Sequence, residues 1–250
     1  MVSPDLTPRY LRLPSRALGR DVHLWQYGHY GRPVIAFPTA GGFAHEWQQN
    51  GMIDALGDLI RAGRLKLYQP ETNICHTWTG DGTPQERLAR HEAYEHFVAE
   101  ELTAHIEQDC SAPRARIGLA GASMGALYAA NLALKHPERF DQALCMSGRY
   151  ATQAFLGDYR GLDAYYSTPL DYVWNLGGDA LQRIQAHTHL TLVVGRGRFE
   201  GRCIAETVAL ARACAHVGIP HHLDLWGHDV AHSWRWWHRQ ARFHLGRLAA

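Results

Sequence analysis

The chain has no CxxC pair, and its five cysteines (Cys75, Cys110, Cys145, Cys203 and Cys214) are odd in number and widely spaced. That pattern implies neither a disulfide framework nor a structural zinc site, and it fits small buried hydrophobes in a reducing cytoplasm. No apolar run approaches the roughly 20 residues of a membrane helix, which speaks against a helical span. The opening MVSPDLTPRYLRLPSR has Pro, Asp and Arg where a signal peptide carries its apolar core, so export in this form is not expected. An excess of one charge is also missing. With 25 Lys and Arg against 24 Asp and Glu the formal charge is +1, so no global field steers the chain onto nucleic acid or an anionic membrane. Internal repeats and low-complexity tracts are absent as well.

What remains is ordinary soluble composition, 46% apolar and 20% charged over 250 residues, enough for one large core and one domain spanning 1–250. Tyr10–Leu13 and Asp21–Gly28 alternate apolar and polar residues as half-buried strands do. PVIAFP (33–38), LKLYQP (65–70), RIGLAG (116–121), QALCMSG (142–148) and HLTLVVG (189–195) read as strands, the first two continuously apolar as in strands buried on both faces. HHLDLW (221–226) predicts a last strand. Between them MIDALGDLIRAG reads as a helix closed by Gly63. Thr83, Pro84 and Glu86 form a capping box opening a helix to about Asp109. Further helices are expected over 126–135, about 202–217 and beyond His232. Residues 150–187 are aromatic and without clear period, and read as an inserted excursion over one edge of the sheet. Alternating strands and helices predict an α/β fold with a mostly parallel central sheet flanked by helices. Sites in such sheets lie beyond the carboxyl ends of the strands.

One such loop holds GASMG. Ser123 follows a strand and precedes a helix, flanked by Gly121 and Gly125, the context of a nucleophile elbow. Tight packing alone is the plainer explanation of the glycines. A serine nucleophile needs a base and an orienting carboxylate, in the chain order Ser, acid, His for this fold. GHDVAHSW after the last strand offers His228 and His232, while His238 and His244 fall within the final helix as surface or packing residues. The loop GRGRFEGR offers Glu200, since Glu206 is already inside the next helix. Arg196, Arg198 and Arg202 surround Glu200 in sequence, so a solvated surface ion pair competes with the catalytic role, and Asp229 is the alternative acid. Backbone donors for an oxyanion would be the amide of Met124 and those of PTAGG (38–42), Ala40 and Gly41.

With these residues together the chain resembles the esterase branch of the α/β-hydrolases that includes esterase D-like enzymes and the mycobacterial mycolyltransferases. The resemblance rests on FPTAGG followed by EW and GMIDAL, GASMGA, HPERF, GDY with YYSTPLDY, and GIPHHLDLWGHDVAHSWRWW, and so covers nearly the whole chain. It implies that His232, at the H-[SD]-W position, is the base rather than His228. It also implies that Gly197-Arg198-Phe199-Glu200 carries the acid. The substrate it implies is a small-molecule ester or thioester, with hydrolysis or acyl transfer to another acceptor both open. A catalytically idle scaffold on the same fold is the alternative from a different class.

Four other patterns have plainer readings. GRGRFEG places its third glycine one position late for a dinucleotide loop, so no cofactor is expected. HEAYEH (91–96) has histidines five apart, unlike a zinc protease, and no metal is expected; a surface helix fits it better. Tyr165, Tyr166, Tyr172 and Trp174 could line an acyl pocket or pack the insertion. Trp234, Trp236 and Trp237 read as core or pocket wall without a basic groove beside them. Homo-oligomerisation is left open.

Overall fold

The structure, a computed structural model, describes residues 6–248; the start of the N-terminal stretch read against a signal peptide, and both ends of the 1–250 domain expectation, lie outside them. Eight strands form one sheet in the order β1-β2-β4-β3-β5-β6-β7-β8. They are β1 Arg9–Ser15, β2 Arg20–Tyr27, β3 Arg32–Phe37, β4 Leu65–Pro70, β5 Ile117–Ala122, β6 Phe140–Met146, β7 His189–Val194 and β8 His221–Leu225. β2 runs antiparallel to both its neighbours, and every pairing from β4 through β8 is parallel. The sheet is therefore mostly parallel, as the alternating pattern predicts.

The continuous apolar runs have a direct cause. Successive residues of a strand face opposite sides of the sheet. In β3, Ile35 and Phe37 enter one apolar cluster with Tyr128 and Leu119, while Val34 and Ala36 enter a second with Trp47 and Trp237. Both faces are covered by helices, so neither set can be polar.

The helix from Thr83 starts as its capping box predicts: the Glu86 amide donates to Thr83 Oγ1 at 3.3 Å and the Thr83 amide to Glu86 Oε2 at 2.8 Å. Such a cap stabilises by about 1 kcal/mol. The helix continues to Asp109 but is π-helical over Phe97–Leu102. MIDALGDLIRAG forms two short helices, Met52–Ala55 and Gly57–Arg61, rather than one.

The excursion after β6 is helical and does not cover a sheet edge. Since β6 and β7 are interior strands, it packs on the helices Pro84–His96, Met124–Lys135 and Gly201–Val217 instead. Tyr172 is its anchor, with its hydroxyl donating to Asn131 Oδ1 at 2.9 Å. HEAYEH is likewise not a plain surface segment. His91 and Glu95 are buried, because Glu95 accepts from Asn131 at 2.7 Å and pairs with Lys135 at 2.6 Å. His91 Nε2 stands 3.4 Å from Glu95, an ion-pair distance without hydrogen-bond geometry. Among the described residues no helix is long and apolar enough to cross a membrane.

Candidate active site

The parallel register brings the carboxyl ends of five strands side by side, pairing Phe37 with Gly121, Ala122 with Met146, Met146 with Val193, and Val194 with Leu225. Whatever follows each of these residues is gathered at one end of the sheet. Ser123, Ser147, the Glu200 loop, the His232 loop and PTAGG all do.

Ser123 sits between β5 and the helix Met124–Lys135 with φ 56° and ψ −118°. A non-glycine residue held there costs of order 1–3 kcal/mol, and the surroundings enforce it. The two glycines are required by space. A Cβ on Gly121 would overlap the Gly125 carbonyl, and one on Gly125 would lie 2.6 Å from the Pro38 carbonyl oxygen. Packing thus explains the glycines, and the same close approach brings the start of PTAGG against the first turn of the Ser123 helix. The Ser123 amide donates to the Met146 carbonyl at 2.9 Å, and among the described residues no cap hydrogen bond engages its side chain.

His232 and Glu200 meet. His232 Nδ1 lies 3.4 Å from Glu200 Oε2, a long contact of the kind apo active sites show before substrate tightens them. A carboxylate only accepts, so Nδ1 carries the proton and Nε2 keeps a lone pair. Glu200 is fully buried, whereas Arg196, Arg198 and Arg202 are exposed and none pairs with it among the described residues. Arg196 donates instead to the Trp226 carbonyl, and the Arg198 guanidinium lies 4.5 Å over the Phe199 ring. The surface ion pair is ruled out. His228 and Asp229 are exposed, and among the described residues neither hydrogen-bonds His232. His238 Nε2 donates to the Asn50 carbonyl at 2.7 Å, and His244 meets Asp224 at 3.0 Å, both packing contacts.

The loops carrying acid and base are stitched together. The Gly197 amide donates to the Val230 carbonyl at 2.9 Å and the His232 amide to the Arg198 carbonyl at 3.0 Å. Side chains at Gly195 or Gly197 would strike that same Val230 carbonyl, so the glycines of GRGRFEG serve loop-to-loop contact.

Two residues here, Ser147 and Glu46, escape sequence reasoning. Ser147, fully buried at the end of β6, donates to Glu200 Oε1 at 2.6 Å and accepts from Trp237 Nε1 at 3.0 Å. The Trp237 ring also packs edge-on against His232, centroids 4.8 Å apart. Glu46 accepts from both the amide and the hydroxyl of Thr39, the latter at 2.7 Å, and so braces the loop holding Ala40 and Gly41. Ala40 and Gly41 are exposed, and among the described residues their amides donate to nothing. The Met124 amide opens its helix and has no intrahelical acceptor. The signal for Ser147 was SG at the end of its strand, a polar residue where the strand meets the site. The signal for Glu46 was the EW after the glycines, whose Trp47 is also fixed, donating to the Phe37 carbonyl at 3.0 Å.

The aromatics of the insertion pack among themselves: Tyr165, Tyr166 and Tyr172 meet edge-on or tilted, and Trp174 packs on His216. A cavity of about 570 Å³ lies at the amino ends of β3, β4 and β5 beside Arg32, Lys66 and Asp109, and is lined by none of Ser123, Glu200 and His232.

A search of the curated proteins found no match. Solved structures share the fold. A ferulic acid esterase superposes with a TM-score of 0.75 at 18% identity, covering 97% of each chain. An S-formylglutathione hydrolase from Agrobacterium tumefaciens gives 0.74 at 18% identity, over 97% of this chain and 94% of that one. Mycobacterium tuberculosis MPT51 gives 0.72 at 16% identity, over 97% and 98%. Sequence goes further than shape, because the family model described as "Putative esterase" matches residues 23–244. Nearly the whole described chain, GASMG and the loops of Glu200 and His232 included, thus belongs to the esterase family and is a carboxylic ester hydrolase of the α/β-hydrolase fold.

Proposed function

We propose that the protein cleaves a small-molecule carboxylic ester or thioester through an acyl-enzyme on Ser123, within a single domain. His232 Nε2 takes the Ser123 proton as the hydroxyl attacks the acyl carbon, then gives it to the leaving group. It repeats the exchange with water to release the acid. Glu200 holds the Nδ1–H tautomer and stabilises the imidazolium that forms. The amides of Met124, Ala40 and Gly41 receive the charge on the tetrahedral oxygen, aided by the positive end of the Ser123 helix.

The observation that carries this reading is the buried Glu200 carboxylate, turned onto His232 and away from three neighbouring arginines. A buried carboxylate costs several kcal/mol unless its oxygens are used, and a structural role would be served better by one of those arginines. Free cysteines are in keeping with a cytoplasmic enzyme.

Turnover of p-nitrophenyl acetate and butyrate by the wild type beside Ser123→Ala tests it. Activity lost in the variant, with fluorophosphonate labelling at Ser123, supports the nucleophile. Equal rates, or labelling at another residue, would sink it.

A further inference from the structure

Cys203 takes no part in that scheme, yet it stands inside it. It lies in the first turn of Gly201–Val217, buried, with Sγ 3.6 Å from His232 Nδ1. One potential ligand atom from each of Glu200, Cys203 and His232 lies within 4.8 Å of the other two. The spacing has a chemical meaning. Tetrahedral zinc takes sulfur at about 2.3 Å and nitrogen or oxygen at about 2.0–2.1 Å, which sets S···N edges of about 3.6 Å and N···O edges of about 3.3 Å. The observed edges are 3.6 Å for sulfur to nitrogen and 3.4 Å for nitrogen to oxygen. The third edge, sulfur to oxygen, is within 4.8 Å.

Two further features fit. The other oxygen of Glu200 is held by Ser147 Oγ at 2.6 Å, the kind of outer contact that orients a metal-binding carboxylate. A thiolate, an imidazole and a carboxylate together select a borderline-soft cation over magnesium or calcium. The His232 side chain is 22% exposed and gives a way in.

We propose that Glu200, Cys203 and His232 form an inhibitory site for zinc or a zinc-like divalent cation, which switches the hydrolase off. The inference rests on His232 being the base of the proposed mechanism. Binding forms bonds from the metal to Sγ, Nδ1 and Oε2, with no change of oxidation state. The Cys203 thiol proton leaves to solvent, and the Nδ1 proton moves to Nε2, so one proton is released. With Nε2 protonated and Nδ1 on the metal, His232 has no lone pair for the Ser123 proton.

Cobalt titration of Ser123→Ala tests the site without turnover. The expected result is a thiolate-to-cobalt charge-transfer band with tetrahedral d–d absorption, lost in the double variants carrying Cys203→Ala or the closer-sized Cys203→Ser. In the otherwise native enzyme, zinc should inhibit p-nitrophenyl acetate turnover, reversibly with chelator and about tenfold more tightly per pH unit while one proton is released. In Cys203→Ala, normalised to its own metal-free rate, half-inhibition should need more than the roughly 100-fold extra zinc that loss of an outer contact costs. Absence of the charge-transfer band, or equal inhibition of Cys203→Ala, would overturn the site. If the wild type hydrolyses no ester the functional reading fails, and the cobalt spectrum alone decides the metal site.

Discussion

Ser147 Oγ donates to Glu200 Oε1 at 2.6 Å and its own oxygen is occupied by the Trp237 indole N–H. An indole only donates, so the direction of both bonds is fixed. The Ser147 proton must go to Glu200, and Oε2 is left for His232. β6 lies between the nucleophile strand and the acid strand, so the residue at its end is the one placed to brace the acid.

That fixed direction makes Glu200→Gln a sharp test. The amide oxygen would take the Ser147 proton, turning the NH2 toward His232 Nδ1. The ring must then accept at Nδ1 and carry its proton on Nε2, which leaves no base for Ser123. We expect kcat to fall by about 10³–10⁴ with the fold intact, as tautomer loss does in related triads. Asp229→Asn should leave steady-state rates unchanged; the reverse pattern would reassign the acid.

Ser147→Ala removes the brace and keeps the acid. It leaves Glu200 Oε1 and Trp237 Nε1 buried without partners, at a cost of about 1–3 kcal/mol in stability. We expect kcat to fall about 10–100-fold, as loss of an orienting contact does, with KM little changed. A purely structural role would lower thermal stability and spare kcat. Trp237→Phe, which keeps the ring against His232, should give the milder form of the same kinetic change.

Glu46 is expected to act on the oxyanion loop alone. Glu46→Ala frees Thr39 and lets the adjoining Ala40 and Gly41 drift. Loss of an oxyanion donor costs about 10²–10³ in kcat, and a loosened loop should cost less, about tenfold. Binding of a boronic acid transition-state analogue should weaken in step with kcat, whereas product binding should not.

The eight strands are legible in the sequence because they leave local marks. Continuous apolar runs flag strands buried on both faces, and glycines flag the loops where backbone meets backbone. Ser147, Glu46 and Glu95 leave no such mark. Each is a buried polar residue whose meaning comes from a partner on another element: Glu200 and Trp237 for the first, Thr39 for the second, Asn131 and Lys135 for the third. The arginines around Glu200 mislead for the converse reason. Neighbours in sequence point outward while the acid, at the start of its helix, points in.

Glu95 gives the pH prediction. Burial alone would raise its carboxyl, but the charges of His91 and Lys135 and their contacts overcome this and hold it well below the usual carboxylate range. A group depressed in the folded state stabilises fully above its unfolded value of about 4.3, and the contribution fades as pH falls toward the folded value. Because Glu95 reaches the insertion through Asn131 and Tyr172, acid should loosen that segment first. We therefore expect the wild-type Tm to fall on acidification below about pH 4 and hydrogen exchange across residues 162–175 to rise with it. In Glu95→Gln the Tm at neutral pH should be lower and its acid dependence flatter. A variant with unchanged acid dependence would show that other carboxylates carry the transition.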